Sequence, residues 1–281
     1  MSTNERQQLR HYLHHARYEV LPLRGALEQA QDLPEGTTVT VTSSPAKGIE
    51  ATLDLAARLR GVGMHVVPHL AARLVRDNAH LKELLDRIHG LGFTEVFVIA
   101  GDADQPAGGF TDALSLLRGM EEIGARPYRV GITGYPEPHS FIPDRMTIQA
   151  TDEKARYADY IVSQICYDPN TIASWITAMR ERGVRLPVYV GAPGSIDPTK
   201  LLRISMKIGL GQSMRFLRKQ HGVVGKLLSR YTPETMFEEL SPYIVDPEYN
   251  IAGWHLFTFN EITRTRQWAV ETADRLQEVP A

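Results

Sequence analysis

Glu95-Val-Phe-Val-Ile-Ala-Gly-Asp102 is the stretch on which the fold turns. Val96 to Ala100 is an apolar run stopped by Gly101, so it reads as a strand buried on both faces, the kind found in parallel sheets. A carboxylate directly after such a strand, here Asp102, is costly unless it faces water or a ligand in a cleft. Other apolar runs close on polar residues in the same way. Tyr18-Glu-Val-Leu-Pro22 carries Glu19, Val39-Thr-Val-Thr42 ends in hydroxyls, and Val66-Val-Pro-His69 ends on an imidazole. Val130-Gly-Ile-Thr-Gly-Tyr-Pro-Glu137 ends on Tyr135 and Glu137, and Tyr160-Ile-Val-Ser-Gln164 ends on an amide. Polar side chains gathered at the C-terminal ends of many parallel strands mark the active face of a barrel.

Outward from this stretch, strands alternate with helices. A helix is predicted over 5–17 and strands over Tyr18–Pro22 and Thr37–Ser43. Apolar residues at helical spacing give a helix over Lys47–Arg60, stopped by Gly61 and Gly63. The strand His65–Leu70 and the helix Ala79–Leu91 lead to the opening stretch. A helix capped by Thr111 or Asp112 runs to Ile123, and Tyr128–Thr133 is the next strand. Prolines in 136–150 suggest a loop, followed by a short helix Asp152–Tyr157 and a strand Ala158–Cys166. Asp168-Pro-Asn170 opens a helix to Arg182, Leu186–Val190 is a strand, and Ser195–Ile251 reads as mostly helical. A strand over Ala252–Phe259 and a helix to about Leu276 complete the chain. The expected fold is α/β: a single-domain (β/α)8 TIM barrel over residues 1–281, with an N-terminal helix and a longer helical insertion between strands seven and eight. An open dinucleotide-binding sheet needs a glycine-rich turn after an early strand. Gly61-Val-Gly63 precedes a strand, and Gly209-Leu-Gly211 lies in a helical stretch, so neither fits.

Composition sets limits. The 281 residues are 43% hydrophobic and 23% charged, ordinary for a globular chain. A net charge of −2 gives no electrostatic case for nucleic acid or an anionic membrane. No run approaches the roughly 18 apolar residues of a membrane span, and the polar N-terminus lacks a signal-peptide core. The lone cysteine, Cys166, suits a reducing cytoplasm. Nothing in the pattern specifies an oligomeric state. His11, His14 and His15 share a helical face, but without a nearby carboxylate or cysteine they read as solvated, and no metal is expected.

A barrel would place Glu19, Thr42, His69, Asp102, Tyr135, Glu137 and Gln164 around one mouth. Each has a plain structural reading: an edge carboxylate, a core histidine, a turn. Together they suggest acid–base work on a polar, heteroaromatic ligand. Glu19 and Asp102, on different strands, can hold different protonation states, and Glu19, set among Val20, Leu21 and Pro22, is the carboxyl placed to stay neutral and donate a proton. Gln164 offers both a donor and an acceptor to a ring edge.

The order of these motifs resembles the methylenetetrahydrofolate reductase family. The strand with Glu19, Val41-Thr42, Pro68-His69-Leu70, Gly101-Asp102, Tyr135-Pro136-Glu137-Pro138-His139, Ser163-Gln164 and the stretch His255 to Asn260 carry the resemblance, from about residue 18 to 262. It implies a flavin-using barrel that reduces methylenetetrahydrofolate with a nicotinamide, Glu19 being the general acid. Asp102, Gln164, Tyr167 and Phe257 would then face the folate, and Thr42, His69, Gly101, Tyr135, Glu137 and His139 the redox cofactor. The departures cluster on the flavin side. Ala100 replaces the Arg of Arg-Gly-Asp, Ser43-Ser44 replaces Tyr-Gly, and Gln149 to Asp159 is altered and one residue short, with Lys154 and Asp159 retained. The resemblance with these departures implies NADH (or NADPH) as hydride donor, with flavin adenine dinucleotide (FAD) bound weakly or not at all. The basic run from Lys207 to Arg230 suits a solvated helix face, or else a polyglutamate tail or cofactor phosphates. Another flavin-dependent barrel oxidoreductase, a folate methyltransferase and a silent folate-binding subunit remain open alternatives.

Overall fold

The computed structural model of the chain describes residues 1–139, 142–207 and 232–278. Eight parallel strands close into a barrel in sequence order: β1 (Arg17–Val20), β2 (Thr38–Val41), β3 (His65–Ala71), β4 (Glu95–Ile99), β5 (Arg129–Gly134), β6 (Tyr160–Ser163), β7 (Val188–Pro193) and β8 (Ile251–Phe257). Helix α1 (Thr3–His14) precedes the barrel and packs against β8 and the last helix. The connecting helices are α2 (Ala26–Ala30), α3 (Gly48–Gly61), α4 (Asn78–Gly90), α5 (Ala113–Ile123), α6 (Asp144–Lys154) and α7 (Pro169–Glu181). Between β7 and β8 lie α8 (Pro198–Lys207) and α9 (Glu234–Ile244), and α10 (Ile262–Glu278) closes the chain. The basic run beyond Lys207 falls in 208–231, outside the described residues. Among the described residues no helix is long and apolar enough to cross a membrane, and no cluster of His, Cys, Asp and Glu suits a metal.

Local chemistry explains most boundaries. Ser2 and Glu5 form a reciprocal capping box on α1. The carboxylates of Asp77, Asp112 and Asp168 cap α4, α5 and α7 by accepting from backbone N–H groups of the first turn. Helix α6 corrects the loop expected over 136–150. Its prolines all precede Asp144, and Pro143 sits at the N-cap position. The buried residues of α6 are Thr151 and Lys154, so the helix carries no apolar stripe to reveal it.

The outward pleats of the strands bury Val20, Val39, Val96, Val98, Val130, Ile132 and Ile161 under the helices. The inward pleats are more polar. At the N-terminal end, Arg17 of β1 forms an ion pair with Glu95 of β4, and Arg129 of β5 reaches the other Glu95 oxygen at 3.4 Å. The Arg17 guanidinium stacks on Tyr160 and Tyr189, 4.6 Å from each ring centre. Burial alone would push the Glu95 carboxyl up, but Arg17 overrides this and holds it below the usual range. The register sets Gly131 opposite Tyr160, where a Cβ would run into the phenol ring. Above this plug lies an apolar layer of Val67, Phe97 and Val162.

Removing one partner of a buried ion pair strands the other. Glu95→Ala should therefore cost about 3–5 kcal/mol of stability by urea denaturation, and the apolar double replacement Arg17→Met with Glu95→Leu should cost less. A loss under about 1 kcal/mol for Glu95→Ala would show that the plug does not hold the barrel.

Candidate active site

Strand alternation lifts Glu19 one pleat above Arg17, onto the inner face at the C-terminal mouth. Its neighbours across the ladder are Thr40 of β2 and Phe257 of β8. Two histidines converge on one carboxyl oxygen. His255 Nε2 lies 3.1 Å from Glu19 Oε2, and His69 Nε2 lies 3.8 Å from the same atom. Both rings are almost fully buried, and His69 packs on Phe97 with ring centres 4.8 Å apart. The Glu19 side chain keeps 14% exposure toward the mouth. Among the described residues, no hydrogen bond is made to its Oε1.

Burial dominates the electrostatics. It pushes the Glu19 carboxyl up to about 7, with His69 pulling weakly in the other direction. It pushes the His69 imidazole down to about 4 and that of His255 to about 3, and the Arg17 guanidinium also disfavours charge on both rings. Near neutral pH the pair of rings is uncharged while the carboxyl still carries its proton about half the time. Two neutral imidazoles around a protonatable carboxyl form a dry proton-donor site. The buried Nδ1 of His255 has no partner among the described residues.

Three groups make up the mouth. Glu19, His69, His255 and Phe257 form the first. Asp102, exposed on the loop after β4, forms the second with Tyr135 and His139. It interacts electrostatically with both, whose rings meet edge to face at 5.4 Å. Gly101 holds the turn before Asp102 at φ +90°, and a Cβ there would meet Ala71 Cβ at 2.9 Å, so the backbone requires glycine. The third is an apolar wall over β6–β8, where buried Tyr167, Ile165, Ile196 and Leu201 pack with Phe257 and Phe259. Gln164 stands at its edge, and its own amide oxygen accepts from Ile165 N at 2.9 Å. Thr42 is held by its backbone, N–H to Val20 O at 2.9 Å. Glu137 turns inward and accepts from Cys166 Sγ at 3.6 Å. His255 was missing from the residues assigned to the site by sequence. The signal lay in the alternation of β8, which puts it on the same face as Phe257.

On the β3–β6 side, two cations that could serve a dinucleotide diphosphate are engaged. Arg73 donates to the carbonyls of Ala103, Asp104 and Thr111. Lys154 is buried, pushed down to about 8 by that burial, with Nζ 3.3 Å from Thr133 O. Asp159 pairs with Arg126 and accepts from Val130 N, a structural task.

A family profile described as methylenetetrahydrofolate reductase matches residues 22–194, more than half of the chain. The chain belongs to the methylenetetrahydrofolate reductase family. Methylenetetrahydrofolate reductase 2 of Saccharomyces cerevisiae is 22% identical over 171 residues, covering 57% of this chain and 28% of the yeast protein. Methylenetetrahydrofolate reductase 1 of Schizosaccharomyces pombe is 29% identical over 121 residues, 38% of this chain and 19% of that one. Methylenetetrahydrofolate reductase (NADH) 1 of Zea mays is 25% identical over 164 residues, 50% and 27% of the two chains. The chain thus spans little more than a quarter, at most, of these relatives. A solved Clostridium thermocellum protein, described as binding two copies of 5-methyl-5,6,7,8-tetrahydrofolic acid, shares the fold, with TM-score 0.63 at 11% identity over 93% of this chain and 92% of that one.

Proton linkage gives this reductase-family site a signature in stability. In the fold Glu19 holds its proton up to about pH 7, against 4.5 ordinarily. The folded chain therefore binds the extra proton in that window. Its contribution to stability is full below about pH 4.5 and is lost as pH rises to about 7. Glu19→Gln cannot ionise and should escape this loss, gaining about 3 kcal/mol over the wild type between pH 4 and pH 8 in urea denaturation. The histidine contributions run oppositely, lost as pH falls from 6.5 toward 4 and 3, and are present in both proteins. Parallel pH–stability curves for the two proteins would contradict the assigned burial of Glu19.

Proposed function

We propose that the chain reduces 5,10-methylenetetrahydrofolate to 5-methyltetrahydrofolate with a reduced nicotinamide, as one barrel domain over residues 1–281. The observation that carries this reading is the Glu19 carboxyl, held up near 7 by burial between two uncharged imidazoles and keeping 14% side-chain exposure. Such an acid protonates the bridging nitrogen of the substrate. The bond from that nitrogen to the methylene carbon breaks, its electrons staying on the nitrogen and its proton coming from Glu19. The methylene carbon becomes an iminium on the neighbouring pterin nitrogen and accepts hydride from C4 of the nicotinamide. Methyl folate and oxidised nicotinamide leave, and water returns the proton to Glu19.

The wall of Tyr167, Phe257 and Phe259 offers aromatic faces for the pterin, with Gln164 at its edge and the Asp102 carboxylate to stabilise the cationic iminium. The Clostridium thermocellum protein of the same fold, described as binding 5-methyl-5,6,7,8-tetrahydrofolic acid, supports a folate as the ligand. The maize and Arabidopsis thaliana relatives, named as NADH reductases, support the choice of donor. FAD would need donors for its diphosphate. Ala100 offers none, and Arg73 and Lys154 are committed to protein oxygens. A nicotinamide dinucleotide carries a diphosphate too, so it is the departures from the family pattern at Ala100, Ser43-Ser44 and Gln149 to Asp159 that weigh against FAD in particular. In this reading the nicotinamide takes the cofactor side directly, against His69, Thr42, Gly101, Tyr135 and His139, with Glu137 acting from beneath the loop.

Glu19→Gln should lower turnover by roughly 10²-fold or more while folate binding survives. Equal turnover would remove Glu19 from the mechanism. Donor labelled with deuterium at C4 should leave its deuterium in the product methyl group, in protein that purifies colourless. A yellow protein with stoichiometric flavin, or label washed out to water, would overturn direct transfer.

A further inference from the structure

The seam that closes the barrel, β8 against β1, has a ladder that runs from Arg17–His255 only as far as Glu19–Phe257. Beyond that pair the seam is carried by side chains. The carbonyl of Glu19 accepts from Thr258 Oγ1 at 2.6 Å and from Thr258 N at 3.3 Å. The side-chain amide of Asn260 then takes both backbone groups of Leu21. Its Oδ1 accepts from Leu21 N at 2.8 Å, and its Nδ2 donates to Leu21 O at 3.1 Å. Thr258 Oγ1 accepts in turn from Asn260 N at 3.1 Å, which ties the two side chains together. The end of β1 is therefore held at the carbonyl of Glu19 and again two residues on, where one amide stands in for the rung that the ladder lacks.

The turn that makes these contacts has an unfavourable backbone. Phe259 and Asn260 are consecutive left-handed residues, with φ +47° and +62°. Asparagine tolerates that region, whereas a bulky aromatic does not. Such strain persists only where the surroundings over-determine it, and it clusters at active sites. Here Lys200 Nζ donates to Phe259 O at 2.9 Å and pairs with Glu261 at 3.0 Å, and the Phe259 ring joins the apolar wall of the mouth. The left-handed pair reverses the chain, so that the Asn260 amide faces back onto Leu21.

We propose that Asn260 and Thr258 are positioning residues for the acid: acting through the backbone of β1, they hold the Glu19 carboxyl in its place between the two histidines. The proposal rests on the reading of Glu19 as the proton donor. The titratable groups facing that carboxyl among the described residues are His69 from β3 and His255 from β8, with Arg17 lowering the charge on both rings. Changing Asn260 or Thr258 alters none of them. A reacting group misplaced by about 1 Å can lose about a hundredfold in rate. Water admitted to a buried carboxyl brings its pKa back toward the ordinary range.

The test compares three variants of the whole chain with the wild type. Asn260→Gly keeps a residue at ease in the left-handed region and deletes the amide. Thr258→Val keeps the shape and deletes the hydroxyl, and Thr258→Ser keeps the hydroxyl. Each is assayed for turnover with methylenetetrahydrofolate and NADH, and the infrared band of its protonated Glu19 carboxyl is titrated without substrate. Asn260→Gly and Thr258→Val should each lower kcat about tenfold or more, with KM for both substrates within about twofold. Each should also move the midpoint of the band to lower pH by about one unit or more. Thr258→Ser should match the wild type in both readouts. A lower melting temperature with kcat and midpoint unchanged would mark a merely structural turn and overturn the proposal. So would a fall in kcat with the midpoint unmoved. If Thr258→Val does not fold, Asn260→Gly decides. If the wild type does not turn over, the reductase reading falls, and the substrate-free midpoint of Asn260→Gly decides the positioning role by itself.

Discussion

A closed parallel barrel leaves no room for bulk water between its inner pleats, so every polar side chain pointing inward must find its match in another. Here the lower inner layer solves this with ions: Arg17 and Arg129 around Glu95, their guanidinium planes laid on Tyr160 and Tyr189. That layer carries two cations against one anion. The excess positive charge sits beneath His69 and His255 and adds to burial in keeping both rings neutral. Glu19 then faces two uncharged imidazoles instead of two cations. With no strong positive partner beside it, burial prevails and its carboxyl keeps a proton that an ordinary glutamate would have lost.

The mouth divides by chemistry along the same lines. Its β6–β8 side is apolar and aromatic, suited to a flat ring. Its β4–β5 side carries Asp102, Tyr135 and His139, and Tyr135 also lines a cleft beside α6 and α7. Glu19 stands between the two sides. In the proposed reaction its proton goes to the bridging nitrogen, and the hydride from the other ligand goes to the methylene carbon that this nitrogen releases. In the proposed reaction the division of labour follows from this placement: a dry acid in the middle, a stacking wall on one hand and a donor site on the other.

Much of this could be read in the chain. The buried run Val96 to Ile99 and its relatives gave the parallel sheet, and the polar residue closing each run gave the mouth, because both depend on short-range pattern alone. Glu19 and His69 come together where strand-end reading puts them, beside Phe257, which the family resemblance had named. What escaped depended on register or on long-range partners. His255 meets Glu19 only because β8 closes against β1, a pairing between the two ends of the chain. Glu137 lies in a loop motif, and only the packing of Cys166 shows that it turns inward. Asp102, which the pattern required to face water or a ligand, does so on the exposed loop after β4. Helix α6 was hidden because what it buries, Thr151 and Lys154, is polar.

The protonation of Glu19, on which the proposed chemistry depends, can be observed directly. Infrared difference spectroscopy of the wild type against Glu19→Gln isolates the carbonyl stretch of one protonated carboxylic acid, and a pH titration follows its loss. The band should persist through the acid range and halve near pH 7, with both histidines neutral throughout the upper part of the titration. A Glu19 band that is already gone by about pH 5, as for a solvated glutamate, would contradict the proposed chemistry.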